Sequence, residues 1–239
     1  YADYRKQMRL EDCITANDLK IFSMYYTGME KKDEVFEFVL SHFDDYARVI
    51  DQNEVSNFLF MLSYSRMEEL AKKGDTSYEM ELERVRGDLK VVYDSVMNFG
   101  EMDVYSGLKL LLDAEYYLYN KKDVEKYCLY MEKYFAGLGE GIRSQDYIGA
   151  LESLYEVRGE KITPEVARQG ISWLNEALKS KLQPETQMRC LLMLGDCYKA
   201  SGSKDDAKKC YDQAYVISLQ FNNPGLSAAV QEYVRKLEE

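Results

Sequence analysis

A chain of 239 residues, 46% hydrophobic and 31% charged, has ordinary globular composition and length enough to bury one sizeable core or a continuous solenoid core. Its 42 acidic against 31 basic side chains leave a formal net charge of −11, a field that repels phosphate backbones and anionic headgroups and argues against nucleic acid as a partner. The longest apolar runs, Leu110–Leu112 and Leu191–Leu194, fall far short of the roughly 20 residues that cross a bilayer, which argues against membrane insertion and for a soluble chain.

Only three prolines and 14 glycines occur, a composition that favours long uninterrupted helices over strands and turns. The chain opens at Tyr1 on a charged stretch, Tyr4, Arg5, Lys6 and Gln7, with no apolar leader. The expectation is that a signal peptide, a domain or both has been removed upstream; a removed signal peptide would place the protein in the periplasm or cell envelope, and otherwise it belongs to the cytoplasm. Helices are predicted near 3–12, 17–29, 33–49, 53–73, 77–98, 101–120, 122–136, 144–157, 164–180, 185–200, 204–220 and 225–237. Capping-box pairs mark several starts: Thr15 with Asp18, Thr76 with Glu79, and Ser203 with Asp206. From 77 onward Leu82, Val85, Leu89, Val92, Val96 and Phe99 alternate spacings of three and four, a stripe that must face other helices. Gly137, Gly139 and Gly141 read as an internal joint. Thr163-Pro164, Gln183-Pro184 and Asn223-Pro224 each put proline at a first helical position, where its missing N–H is not needed. Connections this short force neighbouring helices to be largely antiparallel. The fold expected is all-α, with stacked antiparallel hairpins: an irregular region over 1–136, a more regular one over 144–239, and a bend at 137–143 within one superhelix.

Over 187–224 the residues Leu194, Gly195, Tyr198, Ala207, Tyr211 and Ala214 fall at the spacings of one helical hairpin that resembles a tetratricopeptide repeat. Leu191 stands in place of the usual large aromatic near its start, and Pro224 arrives late. The hairpin over 144–182 is similar but looser, with Leu174 and Ala177 in place and Gly170 where alanine is usual. The resemblance implies a right-handed superhelix in which Gly195 and Ala207 are contact points between antiparallel helices and an inner groove holds an extended peptide or another domain. Arg189, Leu192, Met193 and Asp196 take the groove-facing positions, and of these Arg189 alone suits the clamping of a peptide carboxylate. A fainter resemblance starts from Asp18, Leu19, Lys20 and Ile21, followed by irregular helix pairs and a terminal repeat. It is similar to the helical regions appended to thioredoxin-like domains of bacterial envelope proteins. It implies that thiol-disulfide chemistry belongs to an upstream domain and that this chain is its docking module.

Cys13, Cys128, Cys190, Cys197 and Cys210 are odd in number and form no C-x-x-C pair, so buried reduced thiols are expected rather than a disulfide framework, a zinc site or a redox pair. His42, the one histidine, has Val39 rather than glutamate three residues before it, which removes the di-iron bundle motif and leaves hydrolase triads without support. The glycines at 137, 139 and 141 lack the lysine of a phosphate loop, and Asp44-Asp45 and Asp205-Asp206 lack the alternating ligands of a calcium loop. No catalytic residue, metal or cofactor is expected. Tyrosine is the compositional anomaly, 21 residues, among them Tyr25, Tyr26 and Tyr117. Helical spacing puts Tyr116 with Tyr119 on one face, and Tyr127, Tyr130 and Tyr134 on another. These five with Arg189 are the candidate partner-binding residues; the competing expectation is that the rings pack between helices with their hydroxyls at the surface. The function expected is a non-catalytic protein- or peptide-binding scaffold, or alternatively the accessory region of a thioredoxin-like envelope protein. A helical lyase or glycan-processing enzyme would need an acid/base pair that the sequence does not supply. The sequence leaves the oligomeric state open.

Overall fold

The computed structural model describes residues 9–25, 34–158 and 162–238. The helix expected over 3–12, the end of that over 17–29, and Tyr26 therefore lie largely outside the described residues. Among the described residues no strand forms, only an isolated bridge between Phe99 and Met102, and no helix is long and apolar enough to cross a membrane. The fold is all-α. The chain groups into two compact units, 1–121 with 136–138, and 122–135 with 139–239.

The first unit contains α1 (Ala16–Tyr25), α2 (Glu34–Ser41), α3 (Phe43–Ala47), α4 (Gln52–Lys73), α5 (Tyr78–Glu83), α6 (Lys90–Val96) and α7 (Val104–Glu115), the last running on into a π turn over Tyr116–Asn120. Helix α4 is its spine and packs against α2, α3, α5, α6, α7 and the π turn. Val55, Leu59, Met67 and Ala71 of α4 are buried, as are Leu82, Val85, Leu89 and Val92 of the predicted apolar stripe. The single helix expected over 77–98 is broken, because the amides of Gly87 and Leu89 both turn back to the carbonyl of Arg84, each at 2.9 Å. The stripe still buries, since each piece keeps its own face inward. The helix expected over 33–49 divides at His42, where the Ser41 hydroxyl and the His42 ring both approach the carbonyl of Phe38 and compete for the helical acceptor.

Thr15 and Asp18 pair as a capping box, the Asp18 amide donating to Thr15 Oγ1. The other two expected boxes do not form. Asp75 takes the amide of Ser77 at 3.0 Å and starts α5 without Thr76, while Ser203 makes no side-chain cap and Asp206 pairs with Lys209 instead. Asp51, Asp103 and Asp123 cap α4, α7 and the next helix, α8 (Val124–Leu138), by accepting a backbone amide.

The second unit contains most of α8 (Val124–Leu138), then α9 (Ser144–Arg158), α10 (Pro164–Ala177), α11 (Pro184–Ala200), α12 (Lys204–Ser218) and α13 (Pro224–Glu238). Each helix from α9 on packs against the next, the expectation for hairpins with short connections. Thr163 and Asn223 cap the amides of Val166 and Leu226 ahead of Pro164 and Pro224. Helix α8 ends where Gly139 takes φ +51°, a conformation open to glycine.

Small residues set the spacing within this stack. A Cβ on Gly195 would fall inside the van der Waals envelope of the Tyr211 ring, and one on Gly170 would lie 2.5 Å from Cys197 Sγ. A Cβ on Gly149 of α9 would meet nothing within 4 Å. Helix propensity favours alanine at both Gly195 and Gly149, so opposite signs isolate the packing effect. Gly195→Ala should lower unfolding free energy by about 1–3 kcal/mol through overpacking, and Gly149→Ala should raise it by about 0.5–1 kcal/mol, both read by urea denaturation.

Candidate functional site

The hairpin α11–α12 is built around Tyr211. Its ring lies against Gly195, its hydroxyl donates to Asp196 Oδ1 at 2.7 Å, and its other edge meets the Tyr233 ring of α13 at 5.4 Å. Burial, reinforced by the neighbouring Asp196 carboxylate, keeps the Tyr211 hydroxyl protonated well above the usual tyrosine range. Burial also raises the Asp196 carboxyl, against the lowering effect of the same hydrogen bond. Asp196 is thereby committed to its own hairpin.

Of the four expected groove positions, Leu192 packs against two buried clusters, one around Leu191 and Val230 and one around Tyr211 and Leu237. Met193 is buried, with the Tyr155 hydroxyl donating to its carbonyl at 3.4 Å and lying 3.2 Å from Cys197 Sγ. Those two positions are packing, a correction to the expected groove. Arg189 is exposed, and its Nη1 lies 3.1 Å from Glu152 Oε1 of α9. This ion pair joins the first helices of two successive hairpins on one solvent-facing side, next to the open position at Gly149. Glu152 and Tyr155 carried no signal in the sequence, because what singles them out is contact with a helix one hairpin later.

The tyrosines divide. Tyr116 and Tyr119 sit half-buried on the π turn of the first unit. There the Lys121 amide donates to the Tyr116 carbonyl at 3.3 Å and the wider turn replaces the α-helical phase assumed for the pair. Tyr116 lies beside Tyr78, and Tyr119 lies under Lys72 Nζ at 4.5 Å, a lysine that also meets Glu68 and Glu115. Tyr127, Tyr130 and Tyr134 belong to the second unit. Tyr127 is 1% exposed, donates to the Ala150 carbonyl at 2.8 Å and meets Trp173 edge-on. Tyr134 is also buried, beside Phe135, and burial pushes its hydroxyl up to about 12. Tyr130 alone of the three is at the rim, half-buried near Lys133. The expected tyrosine patch is thus corrected: spacing places residues on a common face, and this face turns inward onto α9 and α10. Trp173, whose indole donates to Glu132 at 2.7 Å, is the hub that the sequence reading passed over.

Four of the five cysteines are buried and Cys128 is half-buried. Burial raises Cys128 and Cys190 to about 12, and Cys197 and Cys210 to about 11, so at neutral pH they are thiols and poor nucleophiles. His42 Nδ1 lies 2.9 Å from the Phe38 carbonyl. Among the described residues no group of three or more His, Cys, Asp or Glu side chains is placed to hold a metal ion.

Comparison with known proteins finds no matching family, no matching curated protein and no matching solved structure.

Two measurements check the tyrosine assignments. Tyr127→Ala should cost about 3–5 kcal/mol of stability, as truncation of a buried aromatic does, whereas Tyr130→Ala should cost under about 1 kcal/mol. Buried tyrosines with raised pKa values stabilise fully below about pH 10, the unfolded value, and that stabilisation drains as pH rises towards the folded values. Stability should therefore fall with alkaline pH by up to about 1.4 kcal/mol per pH unit for each such group, and Tyr211→Phe should make the slope shallower.

Proposed function

We propose that the second unit is a binding module of tetratricopeptide type, a non-catalytic scaffold whose hairpins α9–α10 and α11–α12, closed by α13, wind as a right-handed superhelix. Its ligand is an extended segment of another protein, held on the side that α9 and α11 share. The observation that carries this reading is the contact of Arg189 with Glu152, 3.1 Å apart and both half-exposed. It sets the first helices of successive hairpins side by side with polar groups towards solvent, the arrangement that the repeat resemblance associates with a peptide groove.

The chemistry of that side supports a main-chain reader better than a charge clamp. Arg189 meets a carboxylate of its own chain, and an exposed pair of this kind is worth at most about 1 kcal/mol, so it opens at little cost. Opened, it presents five guanidinium donors from Arg189 and an acceptor from Glu152, the complement of peptide C=O and N–H groups. Gly149, whose missing Cβ no neighbour among the described residues requires, leaves room for a backbone to approach α9. A mid-helix glycine costs about 1 kcal/mol against alanine, and close approach gives that cost a purpose.

A random peptide array, with hits measured again in solution, tests the proposal. Arg189→Ala and Gly149→Leu should each weaken the selected peptides at least tenfold, about 1.4 kcal/mol, with melting temperatures no lower than that of the unaltered protein. Peptides whose affinity neither substitution changes, or an array with no binder, would sink it.

A further inference from the structure

The end of α12 and the 3-10 turn that follows it (Leu219–Phe221) carry an apolar ridge with a groove on either side. Val216 is 60% exposed and Leu219 is 50% exposed, three residues apart on one face of the helix. On one flank a groove of about 400 Å³ opens towards α11, with Leu191, Gln187 and Gln213 in its lining; on the other a groove of about 450 Å³ opens towards α13, with Pro224, Ala228 and Gln231. Of the six residues lining the first and the eight lining the second, Asp212 alone is charged, and Lys208 Nζ lies 3.1 Å from it. In a chain that is 31% charged this is a local depletion, the compositional mark of an interface core.

We infer that this ridge is a two-fold contact between two copies of the chain. Ridge and groove stand side by side on one helix, so two antiparallel copies of α12 can each seat Val216 and Leu219 in the other's groove, as ridges-into-grooves packing requires. The polar rim argues for a copy over a different partner. Gln187, Gln213, Asn223 and Gln231 are amides, each with both a donor and an acceptor, and a two-fold axis brings side chains towards their own equivalents, where amides pair and like charges repel. Net charge points the same way. The first unit carries 24 acidic against 15 basic side chains and the second 18 against 16, so the total of −11 divides as −9 and −2. The nearly neutral unit holds the ridge, and a basic partner would be drawn to the other.

Sedimentation velocity on the whole chain, from about 1 µM to about 100 µM, spans the affinities of weak to moderate complexes. The 27.9 kDa chain should pass to twice that mass. Raising salt from about 0.02 M to about 0.5 M should tighten association, because screening removes the repulsion between two acidic molecules across a contact whose one acidic side chain, Asp212, is already paired with Lys208. Val216→Glu and Leu219→Glu should each weaken it at least tenfold; both side chains are exposed, so melting temperatures in dilute solution should match the unaltered protein. A single-chain mass at the highest concentration, a dimer that both variants leave intact, or association that weakens with salt would each overturn the inference.

Discussion

The approach of α11 to α12 at Gly195 is the contact on which the second unit rests. Close packing of two helices requires that one of them give up a side chain where the other projects one, and here the partner is a whole phenol. Tyr211 fills the space that a Cβ would occupy, anchors its hydroxyl on Asp196, and turns its remaining edge to Tyr233. One side chain therefore fixes the separation of three helices. The device recurs: Gly170 accommodates Cys197, and in the first unit Gly107 lies under the Phe99 ring. Each pairs a residue without a side chain with one that has bulk, which makes the spacing specific rather than merely greasy.

What could be read from the sequence follows from this. The repeat spacings named Gly195 and Ala207 as contact points because small residues at fixed intervals have few other uses, and proline after a capping residue located the starts of α10 and α13. The stripe from Leu82 to Val92 was legible as a buried face, but the break at Gly87 was not, because one glycine inside a helical pattern is compatible with either outcome. The false capping boxes at Thr76 and Ser203 fail in different ways: the Asp75 carboxylate takes the Ser77 amide ahead of α5, with the Glu79 amide bonded to the Thr76 carbonyl, and Asp206 pairs with Lys209. Tyrosine posed a harder problem. Tyr127 and Tyr134 do share a face, yet spacing carries no information about which way a face turns, and the deciding neighbour, Trp173, is about forty residues away.

The candidate site lies at the opposite extreme of legibility. Arg189 stood out as the one cation among its groove positions, whereas its relation to Glu152 depends on how successive hairpins stack. Leu192 and Met193 were assigned to the same groove and belong to the packing, so the open side of α11 is narrower than its repeat position implies. What remains is polar, partly self-neutralised and close to the open position at Gly149, and the proposed reading of a peptide main chain rests on those features. The thiols of the second unit contribute nothing reactive to it, since burial favours the protonated sulfur at Cys128, Cys190, Cys197 and Cys210.

The π turn after α7 bears on how this chain tolerates change. Asn120 reaches the Lys73 carbonyl at 3.1 Å and occupies the space beside Gly74, whose φ of +78° lets the chain turn there. That reach depends on the surplus residue that a π turn holds relative to an α-helical one. Because that extra residue is spent within a single turn, deleting one residue between 116 and 120 would restore regular winding while leaving the flanking segments nearly in phase, and would remove the bulge that brings Tyr119 to Lys72 and Asn120 to the Lys73 carbonyl. A one-residue deletion over these five positions is therefore absorbed locally, and what it forfeits is the pair of contacts that Tyr119 and Asn120 make with the end of α4.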